Sequence, residues 1–369
     1  MKNIGLYLHI PFCRSKCPYC DFYSFSGKDV QKYEYVTALQ SKILSSISAL
    51  QTDCDCKVDT LYIGGGTPSV LGAKSLATLV NACNSGFLTN DAEVTIECNP
   101  YGLDEDFFKI LHNSGVNRIS MGLQSAIDRE RRILGRLSDR KQVENAVKTA
   151  QKVGFENITL DVMLGVPEQT EKSLNETLDF CISLGVPHIS AYILKLEENT
   201  HFYKNREKYN FPDDDLTADL YLQMCETLEN NGIMQYEISN FAKKGFESKH
   251  NLKYWHCEEY LGLGPSAHSF LNGERFYYDR DFNAFLNGNS PIPDGDGGDF
   301  TEYAMLALRL TEGLQENKFL ERFGHSIPKD LYEKSKIFAD NGYMTANKNG
   351  LALTRKGFLL SNSILAEIL

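Results

Sequence analysis

The run Tyr7-Leu8-His9-Ile10-Pro11-Phe12-Cys13-Arg14-Ser15-Lys16-Cys17-Pro18-Tyr19-Cys20 carries an apolar segment straight into three cysteines. Residues Ile4–Ile10 read as a β-strand that Pro11 ends, so the cysteines fall on the loop that follows. Spacings of four and three residues let one short loop fold three thiolates around a corner of a cubane, and thiolates are the soft ligands that iron–sulfur clusters demand. Three ligands for a 4Fe-4S cluster leave one iron without a protein ligand, open to a cofactor or substrate. The same spacing also suits a zinc site, which closes with a fourth ligand that His9 could supply.

Outward from this loop, short apolar runs alternate with amphipathic stretches. Strands are expected at Ile4–Ile10, Val58–Ile63, Glu93–Glu97, Arg118–Leu123, Asn157–Leu164 and His188–Leu194. Helices are expected at Asp29–Leu50, Ala73–Ser85, Asp104–Asn113, Asp139–Val153 and Glu171–Leu184. In the last of these, Leu174, Leu178, Cys181 and Ile182 share a face, and Gly185 stops the helix. The strands are almost continuously apolar, as parallel strands covered by helices should be. About six strand–helix units predict an open, partial parallel β/α barrel, since a closed eight-fold barrel takes roughly 250 residues. Chemistry in such sheets gathers at the C-terminal strand ends.

The Gly-, Pro- and Asp-rich segment 287–299 reads as a linker. It divides a barrel region, 1–286, from a small unit, 300–369, mostly helical and of winged-helix type. Hydrophobic residues make up 42% of the 369 and charged residues 24%, ordinary values for a globular chain. A net charge of -11 speaks against nucleic acid as a partner, which needs clustered Lys and Arg. Neither a spanning apolar run nor a signal peptide is legible, so a cytoplasmic location is expected. Thiols stay reduced there. The scattered Cys83, Cys98, Cys181, Cys225 and Cys257 then read as fillers, and Cys54 and Cys56 as part of an exposed loop.

Gly64-Gly65-Gly66-Thr67-Pro68 follows the second strand, where glycines let a backbone approach a ligand and expose N–H and C=O groups. A plain tight turn is the simpler reading of those glycines. Glu97, Gln124, Arg136 and Asp161 follow the next strands. Carboxylates can accept from hydroxyls or ammonium groups, and a guanidinium can grip a carboxylate.

Taken together, CxxxCxxC with Tyr19 before the last cysteine resembles the radical S-adenosylmethionine (SAM) superfamily. The longer string from Tyr7 to Cys13 is similar to its oxygen-independent coproporphyrinogen III oxidase family. So are Gly64–Pro68, Glu97-Cys98-Asn99-Pro100, Arg118–Gln124 and Gly262–Ser269. The resemblance implies a 4Fe-4S cluster on Cys13, Cys17 and Cys20. It also implies SAM contacts from Tyr7, Tyr19, Gly65, Gly66, Thr67, Glu97, Gln124, Arg136 and Asp161, with Lys195 a looser match. Reductive cleavage of the SAM S–C5′ bond is the chemistry that follows from it.

That family has an oxidase branch and a haem-chaperone branch. The oxidase pattern continues CxxxCxxCxC, but Phe22 stands two residues after Cys20. It also carries an N-terminal extension, whereas only six residues precede Tyr7 here. His250-Asn251-Leu252-Lys253-Tyr254-Trp255 is similar to the chaperones' HNxxYW haem-associated motif, with Trp255 the sole tryptophan. The expectation is therefore a protein that binds haem and passes it to acceptor proteins. The alternative is a coproporphyrinogen III oxidase, and an RNA modifier is disfavoured by charge. His250 is the candidate axial ligand, with Asn251, Tyr254 and Trp255 beside it; His256 and Cys257 are further candidates, and His268 is read as a structural or pocket residue. Read from residue types alone, His250 is equally a solvated loop histidine and Trp255 a packing anchor. The resemblance further implies an electron donor for the cluster and is compatible with a homodimer and peripheral membrane contact.

Overall fold

The computed structural model describes residues 2–53, 56–85 and 87–369, with only the backbone of 52 and 53. It runs β1 (Lys2–Ile10), α1 (Asp29–Asp53), β2 (Cys56–Gly65), α2 (Ala73–Cys83), β3 (Leu88–Cys98), α3 (Glu105–Asn113), β4 (Arg118–Gln124), α4 (Asp128–Ile133), α5 (Arg140–Val153), β5 (Asn157–Leu164), α6 (Glu171–Ser183) and β6 (His188–Ile193). There follow α7 (His201–Lys204), α8 (Asp214–Asn230), β7 (Met234–Gln235), β8 (Asn240–Ala242), α9 (Lys249–Trp255), β9 (Tyr260–Leu263), β10 (His268–Leu271), β11 (Glu274–Tyr277), α10 (Phe282–Leu286) and β12 (Ile292–Asp296). The last part holds α11 (Phe300–Ala307), β13 (Leu314–Gln315), α12 (Glu316–Phe323), α13 (Lys329–Asp340), β14 (Met344–Asn347), β15 (Gly350–Leu353), α14 (Arg355–Leu359) and α15 (Ser361–Ile368).

Strands β1 to β6 pair in chain order and all in parallel. Beyond β6 the sheet continues with antiparallel β8 and β7, and beyond β1 with β9 to β12, so it stays open. Every expected strand and helix is present, most within three residues of their bounds; β3 starts five residues before the expected Glu93. Helix starts explain the agreement: Asp104 caps α3 through Phe107 N, and Asp139 with Gln142 and Thr170 with Ser173 form capping boxes on α5 and α6. Segment 287–299, read as a linker, carries β12, which pairs with β11 at one edge of the sheet. Cys56 corrects the reading of an exposed loop: it is buried as the first residue of β2, while Cys54 lies outside the described residues.

Alternate strand residues divide sharply. Leu6, Leu8 and Ile10, then Leu61 and Ile63, then Val94 and Ile96, are buried apolar residues of one continuous core that also takes in Leu39 and Ile43 of α1 and Leu76 and Val80 of α2. The intervening positions are polar: Tyr7 and His9, Thr60 and Tyr62, Glu93 and Glu97, Arg118 and Ser120, Thr159 and Asp161, His188 and Ser190. The hydrogen bonds among these side chains place them together on the inner face of the barrel. Burial of apolar area between sheet and helices therefore stabilises the fold, while the barrel axis is left for polar groups.

The C-terminal unit has a three-stranded sheet, β13-β15-β14, flanked by helices. It is tied to the barrel by Ile238 N donating to Arg309 O (2.9 Å) and Thr311 N to Tyr236 O (3.1 Å). Among the described residues, no helix is long and apolar enough to cross a membrane.

Candidate cofactor site at the barrel mouth

The cysteine loop leaves β1 and closes on itself. Cys13 N donates to Phe25 O and Phe25 N to Pro11 O, both at 3.0 Å, and Cys20 N donates to Cys17 O at 3.1 Å. Underneath, Phe12, Phe25, Tyr35 and Phe282 pack edge to face, with ring centroids 5.1–5.7 Å apart for the Phe12 contacts and Phe25–Phe282. All three thiols are free and half-buried. Burial raises the Cys20 thiol above its ordinary range.

His9, the fourth ligand a zinc site would need, is committed elsewhere. Its Nε2–H donates to Tyr23 O (3.0 Å), so Nδ1 accepts from the Tyr7 hydroxyl (3.1 Å). Burial pushes its pKa down to about 4, which keeps the ring neutral. The donor set is three thiols on one loop, and it fits a cluster with one open iron.

The glycine loop is sewn to the cysteine loop. Gly66 N donates to Ile10 O (2.8 Å), Thr67 N to Phe12 O (2.7 Å), and the Thr67 hydroxyl lies 3.4 Å from Cys13 Sγ. Gly65 N donates to Glu97 Oε2 (3.2 Å). This corrects one expectation: the N–H groups of Gly65, Gly66 and Thr67 are already spent. The glycines are required by space as well: a Cβ on Gly66 would stand 2.6 Å from Phe12 O, and one on Gly65 2.7 Å from the His9 ring.

Glu97 also accepts from Tyr62 OH (2.8 Å). Asp161 accepts from Ser120 Oγ (3.1 Å). It lies within β5 rather than after it, because the polar inner face runs down the barrel axis. Burial raises Glu97 to about 7 and Asp161 to about 6, the two carboxyls reinforcing each other's effect at Glu97. Arg136 follows α4; its Nη2 donates to Gly122 O (2.6 Å), and Nη1 points to Cys17 Sγ at 4.0 Å. Its Nε is buried without a hydrogen-bond partner among the described residues. A Cβ on Gly122 would meet that guanidinium at 2.7 Å. Tyr19 is packed near Phe202, beside Cys17 and Arg136. Gln124 ends β4 with φ 70°, a left-handed turn unusual for glutamine. Thus Tyr7, Tyr19, Gly65, Gly66, Thr67, Glu97, Gln124, Arg136 and Asp161 belong to the inner face and mouth of one barrel. Lys195 is exposed and paired with Glu197 at 2.8 Å.

His250 is placed differently from the expectation of an open axial ligand or a solvated loop residue. It is buried in α9, its Nδ1 2.8 Å from Thr60 Oγ1 and its Nε2 2.8 Å from Tyr254 OH. Burial pushes its pKa down to about 3. Both ring nitrogens are thus engaged, which corrects the reading of a free ligand edge. Asn251, Trp255 and His256 are half-buried; His256 Nε2 lies 2.9 Å from Glu312, and Cys257 is buried. His268 is exposed, stacked on Tyr277 at 5.1 Å. Sequence reasoning missed Tyr62, Ser120 and Ser190, which hold the two carboxyls. Their alternation with the buried apolar positions of β2, β4 and β6 was the available signal.

An open parallel barrel with a CxxxCxxC loop at its mouth defines a radical SAM protein. The Radical SAM superfamily model matches residues 7–181, and the HemN C-terminal domain model matches 300–360. The chain is 35% identical to the heme chaperone HemW of Bacillus subtilis strain 168, covering 98% of both chains. It is 34% identical to the heme chaperone HemW of Escherichia coli K12, covering 99% of this chain and 98% of the relative. The chain belongs to the heme chaperone HemW family. Its fold matches that of the Escherichia coli coproporphyrinogen III oxidase HemN at a TM-score of 0.84 and 21% identity, over 100% of this chain and 90% of that one.

Proposed function

We propose that this chain binds haem and hands it to acceptor proteins, while holding a 4Fe-4S cluster on Cys13, Cys17 and Cys20 with SAM beside it. The observation that carries the cofactor reading is the Arg136 guanidinium, poised between Gly122 O and Cys17 with its Nε unpartnered. It fits the carboxylate of the SAM methionine end. Carbonyls of the glycine loop take the ammonium group. Glu97 and Asp161 accept from ribose hydroxyls, with Tyr7, Tyr19, Thr67 and Gln124 enclosing the ligand. When bound, the pair of cofactors supplies reductive cleavage of the SAM sulfur–carbon bond. The residues' part is to orient that bond and exclude water.

Haem reading rests on the relatives and on the outer side of α9. Trp255 has an indole N–H without a partner among the described residues, and the Arg309 guanidinium lies 5.9 Å from its ring centroid. An aromatic face beside a cation suits a porphyrin ring and its propionate. Asn251 flanks them. We divide the chain into the barrel with this segment, 1–286, and the C-terminal unit, 300–369. A haem acceptor and an electron donor are the implied partners.

The oxidase alternative rests on the HemN-like fold and is separated by one experiment. Anaerobically reconstituted full-length protein is titrated with haemin and, separately, incubated with coproporphyrinogen III, SAM and a reductant. A Soret band that saturates, with no protoporphyrinogen IX formed, is the expected outcome. Turnover of the porphyrinogen overturns the chaperone reading.

A pH dependence follows from Glu97. SAM binding to the carboxylate form requires the proton to leave, so affinity rises with pH through about 7. A single group of that pKa gives about a tenfold gain in SAM affinity between pH 6 and 8. Isothermal titration across that range shows it, and Glu97→Gln cuts the gain to about the twofold that Asp161, raised to about 6, leaves. A profile of equal slope in the variant removes Glu97 as the titrating group.

A further inference from the structure

His250 and its helix are attached to the barrel more firmly than a haem-facing segment needs to be. Glu93 of β3 accepts from the backbone N–H groups of Lys249 (3.2 Å) and His250 (3.1 Å). Lys253, from the next turn, is buried with Nζ 3.0 Å from Asp59 of β2. Gly5 of β1 leaves room for the imidazole, since a Cβ there would lie 3.2 Å from His250 Cε1. The inner half of the motif is thus built into the barrel floor.

From there a continuous set of contacts climbs to the mouth. The His250 ring stacks on Tyr62 with centroids 5.3 Å apart and planes 28° from parallel. Tyr62 OH donates to Glu97 Oε1, and Glu97 Oε2 accepts from Gly65 N. Tyr7 stands beside both rings, 6.2 Å from Tyr62 and 6.5 Å from His250. Tyr62 has one hydroxyl, and the angle of its ring sets where that hydroxyl meets the carboxylate. The imidazole beneath fixes the angle.

We propose that His250 is a positioning residue for the SAM pocket: by bracing Tyr62 it holds Glu97 and the Gly65 turn in place, so His250 acts on the cofactor site from below and does not ligate the haem iron. This rests on the reading that Glu97 and Gly65 contact SAM.

The test uses full-length, anaerobically reconstituted protein, titrated with SAM and separately with haemin. Loss of the stacking ring in His250→Ala weakens SAM binding about tenfold, while iron content is retained and haemin affinity stays within about twofold. His250→Phe keeps a ring against Tyr62 and recovers SAM affinity to within about threefold of wild type. A merely structural loss would lower both affinities and the iron content together, and overturns the proposal. So does a His250→Ala protein that binds SAM as wild type does but has lost haemin. Should His250→Ala fail to fold, Tyr62→Phe removes only the hydroxyl at Glu97, and SAM affinity falls about tenfold if the relay operates. Unchanged affinity in that variant overturns it. Wild-type protein that takes up iron and sulfide but no SAM would instead defeat the pocket assignment itself.

Discussion

Protein in which serine replaces Cys13, Cys17 and Cys20 together retains less than about a tenth of the wild-type iron and sulfide after anaerobic reconstitution, because a serine hydroxyl is a poor ligand for iron–sulfur clusters. The loop itself persists. Its closure rests on Cys13 N to Phe25 O, Phe25 N to Pro11 O and the packing of Phe12 with Phe25 and Phe282, none of which uses a thiol. Circular dichroism and the thermal midpoint therefore stay close to wild type. SAM affinity falls with the cluster if, as proposed, the open iron is part of its site. Haemin binding survives, because α9 is anchored to β2 and β3 by Thr60, Asp59 and Glu93 rather than to the cysteine loop. Iron and sulfide at wild-type levels in the triple variant would remove the cysteines as ligands. Zinc uptake in place of iron by the wild type would do the same for the cluster.

Gly66→Ala is the second large effect. The added methyl would stand 2.6 Å from Phe12 O and 3.0 Å from Ile10 O, both backbone atoms that cannot swing away. Gly66 N is also the donor to Ile10 O at 2.8 Å, so relief of the clash breaks the stitch between the two loops. Overpacking of this kind costs about 1–3 kcal/mol. It is concentrated where Thr67 meets Cys13, so SAM affinity in the reconstituted protein drops about ten- to hundredfold. Gly72→Ala, in the same connection, is the control: nothing lies within 4 Å of its Cβ, although its φ of 78° adds some strain. A Gly66→Ala protein with wild-type SAM affinity would show that the loops move independently.

Strand and helix positions were legible because period and capping agreed along the chain: Asp139 with Gln142, Thr170 with Ser173, and Gly154 at a left-handed C-cap say the same thing as the apolar spacing between them. The cysteine spacing was legible for a chemical reason, since few ligand sets use three thiols on so short a loop. Less could be read of the antiparallel additions. Strands β7 and β8 hold two and three residues, too short for any periodicity to register. Strand β12, with a burial pattern exposed throughout and the sequence Ile292-Pro293-Asp294-Gly295-Asp296, has the composition of a loop and pairs only along one side. His250 was misread because a histidine in a polar run resembles a solvated one. Its burial depends on Thr60, Glu93 and Gly5, all more than a hundred and fifty residues away in the chain. Likewise, the spent N–H groups of Gly66 and Thr67 depend on carbonyls of β1 and the turn after it, and that of Gly65 on the Glu97 carboxylate, which no local pattern announces.

An axis lined with Thr60, Arg118, Thr159 and His188 and a greasy layer kept outside the strands separate two inheritable properties of this chain. Folding free energy resides chiefly in Leu, Ile and Val at the sheet–helix seam, whereas the proposed cofactor contacts come from side chains pointing the other way from the same strands. The inner positions are not free of the fold, however: Arg118 donates to Thr159 and His188 pairs with Tyr236, so removing one partner leaves another buried polar group unsatisfied.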